Sequence, residues 1–351
     1  MRRVLVTGCG GSAGNNFIRS LRLAPEKFYI VGTDINKYHI KLSTADKSYL
    51  VPYCSSPDYI SSLNEIIRKE HIEFVHCQPD PELYVLSRQR ESINAPMFLP
   101  SKQAIKLAEN KLQLIKKLRI NKVPAPCSCY IDNHKDIKTA IEMLEAKGNK
   151  KFWVRAIKGA GSRGALPVIN ETQAKNWIDY WDEMKDIKWG QFMISEFLPG
   201  KEYAFQSVWY NGKLIASAAR ERIEYLFGSR MPSGQSSSPT IAKTVHNENV
   251  NKVAVEGIKV LDPTPNGIYC VDMKEDKYGI PNITEINAGR FFTTSIFITT
   301  AGCNMPYIYT KLGFGEEATS QPYNAVPKDL YWVRQIDCQD RMINEIQIGS
   351  N

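Results

Sequence analysis

The stretch that decides the fold is residues 268–290, IYCVDMKEDKYGIPNITEINAGR. Two short apolar runs flank a polar turn, and this pattern predicts a β-hairpin. Side chains alternate across a strand, so Glu285 and Asn287 share one face, and antiparallel pairing can bring Asp272 beside them. Three oxygen ligands at one point suit a Mg²⁺ ion that is shared with substrate phosphates. The alternative is an exposed acidic hairpin whose carboxylates face only water.

The composition is that of an ordinary globular protein, with 351 residues of which 43% are hydrophobic and 23% charged. This length suggests about two or three domains. No apolar run approaches the roughly 18 residues of a membrane span, and the first residues contain too short an apolar run for a secretory signal. The eight cysteines lack CxxC spacing, so we predict a reduced, cytoplasmic protein without structural zinc. The net charge of +8 is dispersed, which suits phosphate-bearing ligands and gives no argument for nucleic acid.

The first hundred residues alternate between strand and helix patterns, which predicts a parallel α/β sheet with right-handed crossovers. The predicted strands are 3–7, 29–33 and 74–77, and the predicted helices are 15–23 and 60–69. Residues 78–82 are predicted to form a polar loop after the third strand.

The remainder mixes helices with antiparallel strands, which indicates an α+β arrangement. A helix is predicted at 132–148, strands at 151–156, 164–169 and 191–197, and a hairpin at 203–219 around Asn211-Gly212, which favours a type I′ turn. Residues 228–239 are rich in Ser, Gly and Pro and predict a mobile loop.

Residues 7–14, TGCGGSAG, form a glycine turn between the first strand and helix. Such a turn can hold a pyrophosphate at a helix N-terminus, and Asp34 stands where a ribose-binding acid would stand. The pattern GxGGxxG is close to the dinucleotide fingerprint without matching it strictly. Glycines are also required simply to pack a helix tightly on a strand, so both interpretations stay open.

Residues 155–164, RAIKGAGSRG, offer a second phosphate site. The glycines at 159, 161 and 164 free the backbone to direct N–H groups at an anion, and Ser162 adds a hydroxyl. Arg155, Lys158 and Arg163 would neutralise that anion. The alternative is a basic hairpin tip. The spacing of a Walker loop is absent.

Taken in order, these segments resemble the ATP-grasp superfamily, and most closely the subgroup similar to carbamoyl phosphate synthetase large chains. The resemblance spans roughly residues 1–325 and rests on the glycine turn with GTD at 32–34, ENK at 109–111, VPAP at 123–126, VRAIKGAGSRG at 154–164, EFLPGKEY at 196–203, and TEIN at 284–287. It implies a Rossmann-like pre-ATP-grasp domain at 1–100 that binds no dinucleotide and helps form the acceptor site. An ATP-grasp domain at 101–325 would follow, with lobe A at about 101–190, lobe B at about 191–325, and a C-terminal tail at 326–351.

The resemblance also implies ATP held between the lobes with Mg²⁺, for which Mn²⁺ could substitute. The implied nucleotide-binding residues are Lys111, Arg155, Lys158, Gly159, Gly161, Ser162, Arg163, Gly164, Glu196, Phe197, Leu198 and Glu202. Among these, Lys111 and Arg155 would contact phosphates, the backbone of Glu196 and Leu198 would meet adenine, and Glu202 would meet the ribose. The hairpin residues Asp272, Glu285 and Asn287 would hold the metal, and Arg290 would stabilise the transferred phosphoryl group.

Three departures from the family pattern matter. The loop begins Arg155-Ala156 where Lys-Pro is common. The usual Asn-Pro-Arg appears as Asn287-Ala-Gly-Arg290, one residue longer, which puts the role of Arg290 in question. The chain has one ATP-grasp unit and no amidotransferase domain, so it is not expected to make carbamoyl phosphate.

The implied activity is an ATP- and Mg²⁺-dependent ligase that joins a small-molecule carboxylate to an amine through an acylphosphate, releasing ADP and phosphate. Arg220 and Arg222 follow the second strand of the 203–219 hairpin, and we expect one of them to bind the acceptor carboxylate. Neither nucleic acid nor a membrane is expected as a partner, and a homodimer is the habit of the family. The alternatives are an NAD(P)-dependent reductase that uses the glycine turn, and a non-catalytic ATP-binding protein.

Overall fold

The first domain is built on a four-stranded sheet with strand order β3-β2-β1-β4, whose strands all run parallel. It is called the parallel sheet below. The computed structural model describes residues 1–159, 161–236, 238–336 and 341–344. The elements of this domain are β1 (Arg2–Thr7), α1 (Ser12–Arg22), β2 (Phe28–Asp34), β3 (Lys47–Leu50), α2 (Tyr59–Lys69), β4 (Phe74–His76) and α3 (Asp80–Arg88). The three predicted strands and two predicted helices are confirmed. The sequence missed β3 because it is a short edge strand with little burial.

The prediction of a polar loop at 78–82 is wrong, because α3 begins at Asp80. Pro79 precedes the helix with an extended backbone, and Asp80 and Glu82 occupy the first turn. Acidic side chains are favoured there by the free N–H groups and the helix dipole. The polar residues that suggested a loop are therefore the first turn of a helix.

A four-stranded antiparallel sheet, here called the small sheet, follows with strand order β5-β8-β6-β7. This region contains α4 (Lys102–Glu109), α5 (Lys111–Ile120), β5 (Ser128–Ile131), α6 (His134–Glu145), β6 (Phe152–Ala156), β7 (Leu166–Val168), α7 (Glu171–Met184) and β8 (Phe192–Glu196). Helices α6 and α7 cover the sheet with a separate apolar core. Strand β8 belongs to this sheet although it lies beyond the lobe boundary predicted near residue 190.

A seven-stranded antiparallel sheet, here called the large sheet, has strand order β13-β12-β9-β10-β11-β14-β15. Its region contains β9 (Glu202–Tyr210), β10 (Lys213–Tyr225), β11 (Pro239–Val245), α8 (Glu248–Leu261), β12 (Gly267–Glu275), β13 (Pro281–Ala288), α9 (Ile296–Thr300), α10 (Met305–Gly313), β14 (Leu330–Val333) and β15 (Arg341–Asn344). Both predicted hairpins are confirmed, and Asn211 and Gly212 have φ values of 47° and 78°, as a type I′ turn requires. The predicted tail at 326–351 contains β14, which pairs with β11.

The parallel sheet and the large sheet are joined by shared apolar cores. Helix α1 packs against α9 and α10, and Gln78 and Asn16 donate hydrogen bonds to the carbonyl oxygens of Phe291 and Thr293 at 2.8 Å and 2.7 Å. The first domain is thereby fixed against the segment that follows the 268–290 hairpin. No helix within the described ranges is long and apolar enough to cross a membrane, and the cysteines described are free.

The protein's own atoms fill the space around the glycine turn. The Gly10 N–H donates to Asp34 Oδ2 at 2.9 Å, and a Cβ on Gly10 would lie 2.3 Å from the His39 carbonyl oxygen. Gly8 has a φ of +63°, and its Cβ would lie 2.4 Å from Pro79 Cγ. The geometry favours the interpretation that these glycines serve close packing, and Asp34 is already engaged in the turn.

Replacing Gly8 with alanine should destabilise the protein more than the same change at Gly315. Both residues have positive φ, but nothing lies within 4 Å of a Cβ on Gly315. We expect about 1 kcal/mol for Gly315→Ala from backbone strain, and roughly 1–3 kcal/mol more for Gly8→Ala from overlap with Pro79. Urea unfolding of the two variants measures the difference, and equal losses would contradict the packing role of Gly8.

Candidate active site

The predicted site residues meet in one cavity of about 230 Å³ between the small sheet and the large sheet. The loop after β6, the end of β8, and strands β10, β12 and β13 contribute to its lining. Every residue that the sequence predicts for the site lines this cavity, except Lys158 and Gly164. The structure thus brings together segments that lie more than 150 residues apart in the chain.

The two exceptions have other contacts. The Lys158 Nζ donates to Glu109 Oε1 at 3.0 Å, and more than half of the lysine side chain is exposed. A Cβ on Gly164 would lie 2.9 Å from the Phe192 ring, so this glycine allows the end of the loop to pack on β8. The loop residues that do line the cavity are Gly159, Gly161, Ser162 and Arg163.

The register of the large sheet explains how its polar side chains converge. Arg220 pairs with Ala204, Ala204 with Asp272, and Asp272 with Glu285. Directly paired residues project on the same face of a sheet, and neighbouring strands lie about 5 Å apart. Glu285 and Asp272 are therefore direct neighbours, and Arg222, two residues along β10 from Arg220, reaches Asp272 from the next row.

The two carboxylates face the cavity and are paired with cations. Glu285 lies 3.0 Å from Arg155 Nη2 and 3.7 Å from Lys111 Nζ. Burial tends to raise the pKa of Glu285, but Lys111 and Arg155 outweigh it, so the pKa lies below its usual range. Asp272 accepts hydrogen bonds from Arg222 and, at 3.1 Å, from Asn287 Nδ2. The alternative of an acidic hairpin that faces only water does not describe this arrangement.

Arg290 reaches the same end of the cavity in spite of the longer Asn-Ala-Gly-Arg sequence. Gly289 has a φ of +101°, and a Cβ there would lie 3.1 Å from Leu83. The backbone therefore turns at Gly289 against α3 and delivers Arg290, whose Nη2 donates to Asn287 Oδ1 at 2.6 Å and to Asp80 Oδ2 at 2.9 Å. Sequence reasoning missed Asp80, although its place shortly after a buried parallel strand was an available signal.

Lys111 supports the loop that follows β6. It is the first residue of α5, whose N-cap is Asn110, and it is only 5% exposed. Its Nζ donates to the Gly159 carbonyl oxygen at 2.5 Å. Burial lowers the pKa of Lys111, and Glu285 opposes that shift. The lysine is therefore a buried cation between the loop and the carboxylates.

The opposite end of the cavity contains the residues predicted for adenosine. Glu202 accepts hydrogen bonds from three residues that the sequence did not identify, namely Tyr225, Gln235 and Lys274. The Glu196 carboxylate accepts from the Cys127 N–H at 2.7 Å, so its side chain braces the start of β5. Glu196, Phe197 and Leu198 line the cavity beside this contact.

Arg220 is buried without an acidic partner. It is 2% exposed, its Nη1 donates to the Thr294 carbonyl oxygen at 3.3 Å, and its Nε and Nη2 find no partner among the described residues. The guanidinium lies over the rings of Phe292 and Phe297, at 5.2 Å and 5.7 Å. Burial lowers the pKa of Arg220 to about 9, and Arg222 adds to the shift. Unpaired donors on a buried cation favour the binding of an anion, which would satisfy both the charge and the donors.

The donor set fits Mg²⁺ and a nucleotide triphosphate. Asp272, Glu285 and Asn287 supply the oxygen ligands that Mg²⁺ prefers, and Lys111 and Arg155 supply cations for phosphates. No group of three His, Cys, Asp or Glu side chains suited to a metal occurs in the described ranges. Two acids and an amide would thus have to share the ion with substrate oxygens, which is usual for Mg²⁺.

Comparison with known proteins agrees with this geometry. Residues 108–294, more than half of the chain, match the family described as ATP-grasp domain, and residues 4–97 match that described as PylC-like, N-terminal domain. The chain belongs to the ATP-grasp family. This membership confirms the predicted fold, an ADP-forming ligase as the enzyme class, and ATP with Mg²⁺ as cofactors.

Solved ATP-grasp structures with low sequence identity share the fold. An L-amino acid ligase from Bacillus licheniformis is 12% identical, with a TM-score of 0.71 and coverage of 95% of this chain and 79% of that one. An N5-carboxyaminoimidazole synthetase from Staphylococcus aureus is 15% identical, with a TM-score of 0.67 and coverage of 94% and 81%. A biotin carboxylase–β,γ-ATP complex from Campylobacter jejuni is 15% identical, with a TM-score of 0.69 and coverage of 94% and 74%. No curated protein matches the sequence.

Replacing Lys111 with methionine should weaken the binding of Mg²⁺-ADP by at least about tenfold, because a charge-assisted contact and the support of the loop are both lost. Isothermal titration calorimetry measures the affinity. Lys106→Met is the matched control, since Lys106 is exposed on the preceding helix. Equal affinities in the two variants would remove Lys111 from the nucleotide site.

Proposed function

We propose that this ATP-grasp protein is an ATP- and Mg²⁺-dependent carboxylate–amine ligase that acts on small molecules through an acylphosphate. One observation carries the proposal. Asp272, Glu285, Asn287 and Arg290 converge at one end of a single cavity, with Lys111 beside Glu285. Oxygen ligands and buried cations at one point are what the transfer of a phosphoryl group between two substrates requires.

The proposed reaction has two steps. A substrate carboxylate oxygen attacks the γ-phosphorus of ATP, and the bond from that phosphorus to the β–γ bridging oxygen breaks, which releases ADP and leaves an acylphosphate. The amine nitrogen then attacks the acyl carbon, and the carbon–oxygen bond to phosphate breaks as the nitrogen loses a proton. The products are an amide, ADP and phosphate.

The chain's own residues would contribute position and charge to these steps. Lys111 and Arg155 would neutralise the phosphates, and Arg290 would approach the transferred group. Bound at Asp272, Glu285 and Asn287, Mg²⁺ would supply charge neutralisation for the phosphate oxygens. Gly159 and residues 161–163 of the loop after β6, together with Gln235, Ser236 and Pro239, line the cavity. These residues would exclude water, which otherwise hydrolyses an acylphosphate.

Arg220 suits the carboxylate of a substrate better than Arg222 does. The Arg222 guanidinium is already paired with Asp272, whereas Arg220 presents two buried nitrogens that have no partner in the described part of the chain. A carboxylate that accepts hydrogen bonds from both nitrogens would satisfy them. The proposal therefore assigns substrate binding to Arg220 and support of Asp272 to Arg222.

A pairwise screen of amino acids and small carboxylic acids for ADP release tests the reaction class. We expect ADP and phosphate only when ATP, a carboxylate and an amine are all present, together with an amide product detected by mass spectrometry. ADP release without an amide for every pair would argue against the ligase, and tight binding of ATP without any release would indicate a nucleotide-binding protein. Fluorescence titration with NADH tests the reductase alternative.

Glu285→Gln should reduce ADP formation by at least about 100-fold. The variant loses a carboxylate ligand of the metal at the point where charge develops on the phosphoryl group in the transition state. The steady-state rate of ADP release measures the effect, with the melting temperature as a check on the fold. Glu275→Gln is the control in the same hairpin, since Glu275 contacts Tyr203 and Lys201 and does not line the cavity. Normal turnover in Glu285→Gln would exclude the metal assignment.

Arg220→Ala should raise KM for the carboxylate-bearing substrate by about tenfold or more and leave KM for ATP within about threefold, because a charged hydrogen-bond pair is lost from one substrate only. Arg220→Lys should retain more affinity than Arg220→Ala, because lysine keeps the positive charge. It should bind less tightly than the wild type, because lysine lacks the paired donors of the guanidinium group. Steady-state kinetics with the pair found in the screen measures both constants. Unchanged KM values in Arg220→Ala would remove Arg220 from the substrate site.

A further inference from the structure

The first domain contacts the cavity-lining Arg290 through an acidic residue, Asp80. Asp80 begins α3, with three residues between it and the end of the buried strand β4, the last of which is Pro79. Its carboxylate contacts Arg290, 210 positions later in the chain. The proposed reaction assigns no role to an acidic residue of the first domain beside Arg290.

The contact between Asp80 and Arg290 has the geometry of a fork. Arg290 Nε contacts Asp80 Oδ1, and Arg290 Nη2 lies 2.9 Å from Asp80 Oδ2. Side-chain exposure is 13% for the arginine and 20% for the aspartate. Two parallel hydrogen bonds to a planar guanidinium fix its orientation as well as its place. A third hydrogen bond, which Arg290 Nη2 donates to Asn287 Oδ1 at 2.6 Å, links the same guanidinium group to a predicted metal ligand.

The backbone around Asp80 is itself held firmly. The close approach of Gly8 to Pro79 fixes the residue before Asp80, and the close approach of Gly289 to Leu83 fixes α3 against the residue before Arg290. A second, small cavity is lined by Asp80 and Tyr84 together with Lys111 and Glu285. Helix α3 is therefore one wall of the catalytic end of the site.

We propose that Asp80 is a positioning residue, which orients Arg290 toward the γ-phosphoryl group of ATP so that the first domain completes the catalytic site. This inference rests on the proposed function, since it takes the phosphate-facing role of Arg290 from it. An ion pair that only stabilised the interface between domains could lie anywhere along that interface. This one binds the arginine at the site where phosphoryl transfer is proposed.

The charges around Arg290 show what removal of Asp80 would do. Burial tends to lower the pKa of Arg290, but Asp80 outweighs it, and Glu285 also acts in favour of the charged form. Without Asp80, Glu285 would be the main remaining carboxylate that attracts Arg290. The guanidinium would then turn toward a predicted metal ligand and away from the phosphoryl group.

Nucleotide affinities measure this positioning without knowledge of the acid and amine substrates. Isothermal titration calorimetry with Mg²⁺-ADP and with the Mg²⁺ complex of a non-hydrolysable ATP analogue gives the preference of the protein for a γ-phosphate. We expect Asp80→Asn to reduce this preference by about tenfold and to leave ADP affinity within about twofold. Arg290→Gln should lose a similar factor, and the double variant should lose no more than either single variant, because both changes remove one interaction.

Two further variants separate positioning from stability. Asp46→Asn removes an ion pair with Arg22 in the same domain, away from the cavity, and should leave the preference unchanged. Asp80→Glu keeps the charge and moves the carboxylate by one methylene, so positioning predicts a partial loss of preference in a protein that melts normally. If Asp80→Glu retains the full preference, or if a folded Asp80→Asn does, the proposal is overturned.

The same experiment distinguishes the failure of this inference from that of the proposed function. A wild-type protein that binds neither nucleotide overturns both. A wild-type protein that prefers the triphosphate analogue, with Asp80→Asn equal to it, overturns only the positioning role. Absence of ADP release in the substrate screen would count against the ligase reaction and leave the affinity test of Asp80 in force.

Discussion

The central constraint on this structure is that two partly buried carboxylates on one sheet face must be paired with cations. Asp272 and Glu285 are direct neighbours across β12 and β13, and burial of unpaired charges beside each other would be costly. The cations come from four separate parts of the chain, namely Lys111, Arg155, Arg222 and Arg290. Pairing the two carboxylates with these cations therefore brings together α5, the small sheet, the large sheet and the segment after β13.

The sheet register then sets the dimensions of the site. Asp272, Ala204 and Arg220 lie in one row on the same face of the sheet, so Arg220 lies two strands away from the predicted metal ligand Asp272. The next row contains Arg222, Glu202 and Lys274. One face of this antiparallel sheet thus presents the residues that are predicted or proposed to bind metal, ribose and a substrate anion.

The first domain contributes to the site through packing. Gly8 in its glycine turn allows Pro79 to approach closely, which places the start of α3. Asp80 at that start binds Arg290. The motif resembles a dinucleotide fingerprint, but through its close packing it helps to position an arginine that belongs to another domain.

The sequence alone determined the features that depend on local pattern: both hairpins, the parallel α/β order of the first domain, the acidic face of β12 and β13, and the glycine-rich basic loop. These follow from side-chain alternation and turn chemistry, which act over a few residues. Local pattern could not choose between phosphate binding and packing for the glycine turn, because both need glycine at the same positions.

Tertiary structure decided which side chains meet. Asp80 and the residues around Glu202 were not predicted from the sequence. The Asp80–Arg290 contact spans 210 positions and the Glu202–Lys274 contact spans 72, and contacts at such separations produce no periodic pattern in the sequence. Arg220 and Arg222 project from the same face of β10 and are equivalent by pattern. Only the neighbouring strands, which give Arg222 an acid and Arg220 none, tell them apart, because the strength and purpose of a buried charge depend on what surrounds it in space.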